Sequence, residues 1–310
     1  MTWALAILGL VVLVVAGDAL VKGAVNLALR LGIPALIVSL TVVAFGTSAP
    51  EMLVSIDAVL SGVPGLALGN VVGSNTANVL LVLGLPALFF TLDTSVSEVR
   101  KTYLVMMAAS VLFVALAFFG PFTWWNGLIL LAVLAVILLE QAVEGMRTRI
   151  VPEDVEGADP NMAGWKVAAF LVVGLVGLPL GANLLIENAR VIATEFGVSD
   201  AVIGLTLVAI GTSLPELATT LAAAKNNQSD VALGNVIGSN LFNLLAIIGV
   251  TALVGDVPVA ESFLRVDLWV MLAASLVLAP FVFTRMKMGR IVGTLFCGLY
   301  VGYLIVVVMS

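Results

Sequence analysis

Thr41-Val-Val-Ala-Phe-Gly-Thr-Ser-Ala-Pro-Glu51 recurs as Thr206-Leu-Val-Ala-Ile-Gly-Thr-Ser-Leu-Pro-Glu216, and Ala67-Leu-Gly-Asn-Val-Val-Gly-Ser-Asn-Thr-Ala-Asn78 recurs as Ala232-Leu-Gly-Asn-Val-Ile-Gly-Ser-Asn-Leu-Phe-Asn243. Both recurrences share one offset, 165, the step from Glu51 to Glu216. Two blocks held in one register mark an internal duplication. What repeats is polar, so packing alone does not account for it.

The blocks sit in a chain that water would not tolerate as a globule. Of 310 residues, 62% are apolar and 10% charged, where a soluble domain carries roughly 25% charged residues. A membrane-crossing helix takes about 20 apolar residues. Cutting at charges and at Pro/Gly clusters leaves apolar runs near 3–29, 33–60, 65–91, 102–120, 123–146, 165–194, 199–224, 230–254, 267–284 and 289–309. The expected fold is therefore an all-α membrane protein of ten transmembrane helices. Residues 1–146 form one five-helix repeat, 147–164 a polar linker and 165–310 a second repeat. The first 17 residues lack a basic leader and read as the start of the first helix, not as a secretory signal.

Composition also removes whole classes of chemistry. The 13 basic and 19 acidic residues are scattered, so no basic face for nucleic acid exists. The single cysteine, Cys297, forms no internal disulfide, and the absence of histidine removes the usual zinc sites and proton relays. Any ion held here is held by oxygen.

Loops rich in Lys and Arg stay cytoplasmic. With ten spans, one face receives Lys22, Arg30, Arg100, Lys101, Arg147, Arg149, Lys166, Lys225, Arg285, Lys287 and Arg290, and the other only Arg190 and Arg265. Both termini are expected outside and the central linker in the cytoplasm. An odd number of spans per half inverts the second repeat, and inverted repeats are characteristic of transporters whose site lies at the repeat interface near the bilayer midplane.

Within each repeat, Pro50 and Pro215 remove a helical donor next to Gly46 and Gly211, so spans 2 and 7 should break there and release carbonyls near Ala44 and Ala209. The second block should likewise break spans 3 and 8, so that broken helices 2, 3, 7 and 8 surround a midplane site. Its glycine pairs, Gly69 with Gly73 and Gly234 with Gly238, suit close helix packing, unwinding, or both. Glu51 and Glu216 are carboxylates at a depth where a charge costs at least about 2.5 kcal/mol, and no Lys or Arg is placed to serve both. Brought together they would repel unless a cation sat between them. Calcium accepts 6 to 8 oxygens in loose geometry. Two carboxylates, the Thr47 and Thr212 hydroxyls, freed carbonyls and water suit it better than magnesium. Ser74 with Asn78, and Ser239 with Asn243, add oxygens on one helix face. Asn70, Asn75, Asn235 and Asn240 read as backbone or interhelical hydrogen-bonding residues.

At these blocks the chain resembles the cation/calcium exchanger superfamily, closest to prokaryotic sodium/calcium exchangers. Two repeats with G-T-S-x-P-E and G-N-x-x-G-S-N, five helices each and an acidic linker carry the resemblance over essentially the whole chain. It implies alternating access, with the first and sixth helices sliding past a central cluster and no cofactor beyond the transported calcium and sodium. It places calcium on Glu51, Glu216, Thr47 and Thr212. Sodium falls to Ser48 with Ser74 and Ser213 with Ser239, aided by the Ala44 and Ala209 carbonyls, and Asn78 and Asn243 complete the cluster. Many relatives carry Asp where this chain has Asn243, so charge and stoichiometry can differ here.

The reading is thus a plasma-membrane antiporter exchanging sodium for calcium, its partners being those ions and the lipid bilayer. The rival is a proton/calcium exchanger using the same glutamates. The four serines favour sodium, since a proton needs no oxygen cage. An enzyme is disfavoured because no nucleophile–base pair with histidine exists, and a channel would conduct without a counter-ion.

Overall fold

The computed structural model describes residues 1–94, 99–147, 159, 161–196, 209–284 and 286–309. Helix is the only extended secondary structure among them. Eight helices are long and apolar enough to cross a membrane, or nine when one bent pair is taken as a single span. The seventh expected span, 199–224, falls partly on residues outside those described.

Helix α1 (Thr2–Leu31) ends at Gly32, whose φ of 66° is the left-handed turn that a residue lacking Cβ adopts freely. It packs along α7 (Gly164–Glu195) through glycines. A Cβ on Gly181 would lie 2.9 Å from the Leu13 nitrogen, and one on Gly177 would lie 2.8 Å from Ala16 Cβ. With no hydrophobic force separating helix from lipid, such backbone proximity is what holds membrane helices together. At the end of α1, Arg30 donates to the Met162 carbonyl at 2.7 Å, and Asn26 accepts from the Asp159 amide at 2.9 Å.

The second span is two helices, α2 (Ala35–Thr47) and α3 (Ala49–Leu60), meeting at 42°. Ser48, at φ −85° and ψ 4°, is the break, and Pro50 enters the first turn of the new helix where its missing N–H is harmless. Ser213 repeats the geometry at φ −86° and ψ 6° between α8 (Ala209–Thr212) and α9 (Leu214–Lys225). The breaks expected in spans 3 and 8 take another form. Helices α4 (Pro64–Phe89) and α10 (Ser229–Val254) stay continuous but widen into a π-helical turn at Asn78–Val82 and Phe242–Ile247. The widened turn shifts one backbone register and re-aims side chains without opening the helix to solvent or lipid.

The remaining helices are α5 (Val99–Phe118), α6 (Trp124–Arg147), α11 (Phe263–Thr284) and α12 (Arg290–Met309). Two isolated bridges join the connections between them, Leu92 with Met288 and Phe122 with Val257, each through a pair of 2.9 Å backbone hydrogen bonds. Each bridge links a residue before the linker to one after it. Large apolar side chains such as Leu53, Val136, Leu180 and Ile291 cover the outside, and Trp124, Trp125 and Trp165 are exposed near helix ends. That is the surface of a multi-pass membrane protein.

Candidate ion-binding site

Four of these elements bring the repeated blocks together. Glu51 lies in the first turn of α3 and Glu216 in that of α9, both at helix N-termini whose dipoles favour an anion. Both are buried, as are Thr47, Ser48, Ser74, Asn78, Thr212, Ser213, Ser239 and Asn243. The carboxylates of Glu51 and Glu216 belong to the two motif blocks that the Ser48–Glu216 hydrogen bond joins. Neither takes part in any of the described ion pairs, which are Lys22–Asp18 at 2.8 Å, Lys101 with Glu140 and Glu144, Arg265–Glu261 and Lys287–Asp93.

The scaffold beneath the carboxylates obeys the 165-residue offset contact by contact. Asn70 Nδ2 donates to the Glu51 carbonyl at 3.1 Å and to Ser55 Oγ at 3.0 Å, and Asn235 Nδ2 donates to the Glu216 carbonyl at 3.1 Å and to Thr220 Oγ1 at 3.0 Å. Each asparagine also receives a hydroxyl from the other repeat, Thr47 reaching Asn235 Oδ1 and Thr212 reaching Asn70 Oδ1, both at 3.4 Å. These asparagines therefore hold the glutamate-bearing turns in place, as their interhelical reading requires.

The carboxylate surroundings are less symmetric. Glu216 Oε1 accepts from Ser48 Oγ at 3.1 Å, across the repeats, and from Ser239 Oγ at 3.4 Å. The mirror serines, Ser213 and Ser74, have buried hydroxyls with no partner. Glu51 Oε2, Glu216 Oε2, Asn78 Oδ1 and Asn243 Oδ1 are likewise buried and unpartnered. The only other such atoms among the described residues belong to Gln141 and Thr251. A buried polar atom without a partner costs about 1–3 kcal/mol, so their concentration on the repeated motifs is not incidental packing. All six are oxygens, as a hard cation requires.

The Ala44 carbonyl is not left free by the kink. Ala44 O is already engaged, accepting from the Ser48 amide at 3.0 Å and from Thr47 Oγ1 at 3.3 Å, because the kink at Ser48 keeps the preceding turn closed. With both lone pairs engaged, an ion contact there would have to displace the Thr47 hydroxyl. Ala209 heads the four-residue helix α8.

Two residues near the site gave no sequence signal. Met106 and Met271, themselves 165 apart, lie with sulfur 3.8 Å from the side-chain nitrogens of Asn240 and Asn75. In apolar runs, methionine reads as filler.

A family model described as sodium/calcium exchanger protein matches residues 1–143 and 166–309. Among curated proteins, the chain is 36% identical over 311 residues to the inner membrane protein YrbG of Escherichia coli, covering 97% of this chain and 95% of that protein. It is 34% identical over 343 residues to the sodium/calcium exchanger MaX1 of Methanosarcina acetivorans, covering 97% and 96%. Among solved structures, the sodium-calcium exchanger NCX_Mj soaked with 2.5 mM Na+ and 0.1 mM Ca2+ superposes with a TM-score of 0.83 at 34% identity, covering 97% of this chain and 96% of that one. On this whole-length agreement, the chain belongs to the sodium/calcium exchanger family and is a multi-pass membrane antiporter of calcium and a second cation, working without a cofactor and not as an enzyme.

Proposed function

We propose that Glu51 and Glu216 bind calcium and sodium in alternation and that sodium is the coupling ion. The observation that carries this is the set of buried, unpartnered oxygens on both repeats: the two Oε2 atoms, two serine hydroxyls and two amide carbonyl oxygens. Thr47 and Thr212, with the Ala44 and Ala209 carbonyls, complete the set at the rim.

An empty site leaves two carboxylates, and six unsatisfied oxygens in all, inside low-dielectric protein. Calcium, or sodium in its place, supplies the missing charge and the missing ligands together. Movement of the helices around a loaded site is then allowed, while movement around an empty one exposes uncompensated charge to apolar surroundings. That rule enforces exchange over leak.

Ser74 and Ser213 favour sodium over protons as the driving ion. A proton satisfies one carboxylate oxygen and needs nothing from two further hydroxyls, whereas a sodium ion uses them. MaX1 and NCX_Mj, both sodium/calcium exchangers by name, support the same choice by their similarity to this chain.

The proposal includes the topology. Residues 1–146 and 165–310 form inverted five-helix repeats, joined by a cytoplasmic linker at 147–164. Both termini lie on the outer face of the plasma membrane. Calcium uptake into proteoliposomes under a sodium gradient alone, and under a pH gradient alone, tests the coupling. Uptake driven by sodium and not by pH is expected; the opposite result makes the protein a proton/calcium exchanger.

A further inference from the structure

Asn75 and Asn240 are buried beside the site without belonging to its set of unpartnered oxygens. Each engages a site amide from the opposite repeat. Asn243 Nδ2 donates to Asn75 Oδ1 at 3.1 Å, and Asn78 Nδ2 donates to Asn240 Oδ1 at 3.1 Å. The far ends of the two inner amides meet sulfur. Asn240 Nδ2 lies 3.8 Å from Met106 Sδ, and Asn75 Nδ2 lies 3.8 Å from Met271 Sδ and 3.5 Å from the Asn240 carbonyl. Every member of one chain maps onto the other by the same 165-residue step.

A primary amide has a donor end and an acceptor end, and its neighbours decide which way round it sits. A thioether only accepts. Met106 therefore admits the nitrogen of Asn240 and excludes its oxygen. The Asn240 oxygen is turned to Asn78, which must answer with its own nitrogen. The Asn78 oxygen is left buried and unpartnered. Met271, Asn75 and Asn243 repeat the logic.

We infer that Met106 and Met271 are positioning residues that fix, through Asn240 and Asn75, the carbonyl ends of Asn78 and Asn243 toward the transported ions. The inference rests on the ion-site reading above. A reversed amide would present N–H hydrogens to a cation, so the distant sulfurs govern whether the site is a ligand or a repellent at those two positions. The two relays are unequal. Asn75 keeps a backbone carbonyl as second acceptor, whereas sulfur is the sole acceptor described for Asn240, so Met106 carries the greater share.

Sodium and calcium isotherms on the purified full-length chain test this. Met106→Leu conserves volume and removes the acceptor. Binding should weaken by about two- to tenfold, the range for one lost buried hydrogen bond that sets the fraction of competent sites, with the melting temperature lowered by only a few degrees for the stranded Asn240 donor. Met271→Leu should weaken it less. Met106→Gln, which accepts through Oε1, should bind better than Met106→Leu even while melting lower, because its amide nitrogen is newly buried. A residue that mattered only for packing would move binding and stability together. Parental binding in Met106→Leu, or equal binding in the Leu and Gln variants, overturns the inference. Should Met106→Leu fail to fold, the Met271→Leu and Met271→Gln pair makes the same comparison on the mirror side. Glu216→Gln in the same isotherms separates the two levels. Parental calcium binding there sinks the ion-site reading itself, while loss there with unaffected methionine variants sinks only the relay.

Discussion

Glu216→Gln isolates the charge of the site from its shape. Glutamine keeps an oxygen where Oε1 now accepts from Ser48 at 3.1 Å and Ser239 at 3.4 Å, so the hydrogen bonds that hold this side chain survive. The amide nitrogen replaces Oε2, the buried oxygen with no partner. The substitution thus removes one of two charges and points a donor at the ion. Breaking a buried charge pair by removing one member costs about 3–5 kcal/mol, which at about 1.4 kcal/mol per tenfold is about two to nearly four powers of ten in affinity. Coulomb attraction scales with the charge of the ion, so sodium should lose about half the free energy that calcium loses. The variant should therefore bind calcium very poorly, retain measurable sodium binding and carry out no calcium exchange, with its melting temperature preserved. Paired isotherms and radiolabelled calcium flux in proteoliposomes measure each quantity. Calcium affinity within about threefold of the parent, or equal losses for the two ions, would refute the reasoning.

Ser74→Ala and Ser213→Ala remove hydroxyls that make no hydrogen bond within the protein. Each should weaken sodium binding more than calcium binding with little change in melting temperature, as sodium titrations of both variants would show. Asn235→Leu strips support from the Glu216 turn, Thr47 and Thr220 at once; a loss of at least about 2 kcal/mol in stability is expected for several stranded buried groups, read by thermal denaturation in detergent. Gly177→Leu drives a side chain into Ala16, where even a Cβ would sit 2.8 Å away. Overpacking of this kind costs about 1–3 kcal/mol, and slower exchange with unchanged ion affinity would locate the damage in the α1–α7 pair instead of the site.

Much of this was written in the repeat. The offset between Glu51 and Glu216 located both carboxylates, and Gly-Thr-Ser-x-Pro-Glu located the kinks, because proline leaves few ways for a helix to continue. Spans 3 and 8 were harder. Breaks within the second block were expected, but a π-helical turn and a break have the same local composition, and packing against neighbouring helices decides between them. The Ala44 carbonyl was expected free because proline was judged alone; the Thr47 hydroxyl and the Ser48 amide, both local, close it again. The exchange of hydroxyls between Thr47 and Asn235 and between Thr212 and Asn70 depends on distances between helices that no spacing encodes. Nor does periodicity distinguish a methionine facing an amide from one facing lipid.

The bridges joining Leu92 to Met288 and Phe122 to Val257, taken with the crossed threonine contacts, tie the first half of the chain to the second. Made alone, the stretch from Met1 to Met146 would leave the paired backbone groups of Leu92 and Phe122, and the side-chain partners of Thr47 and Asn78, unanswered. Neither half is self-sufficient, and each supplies the surface that the other lacks.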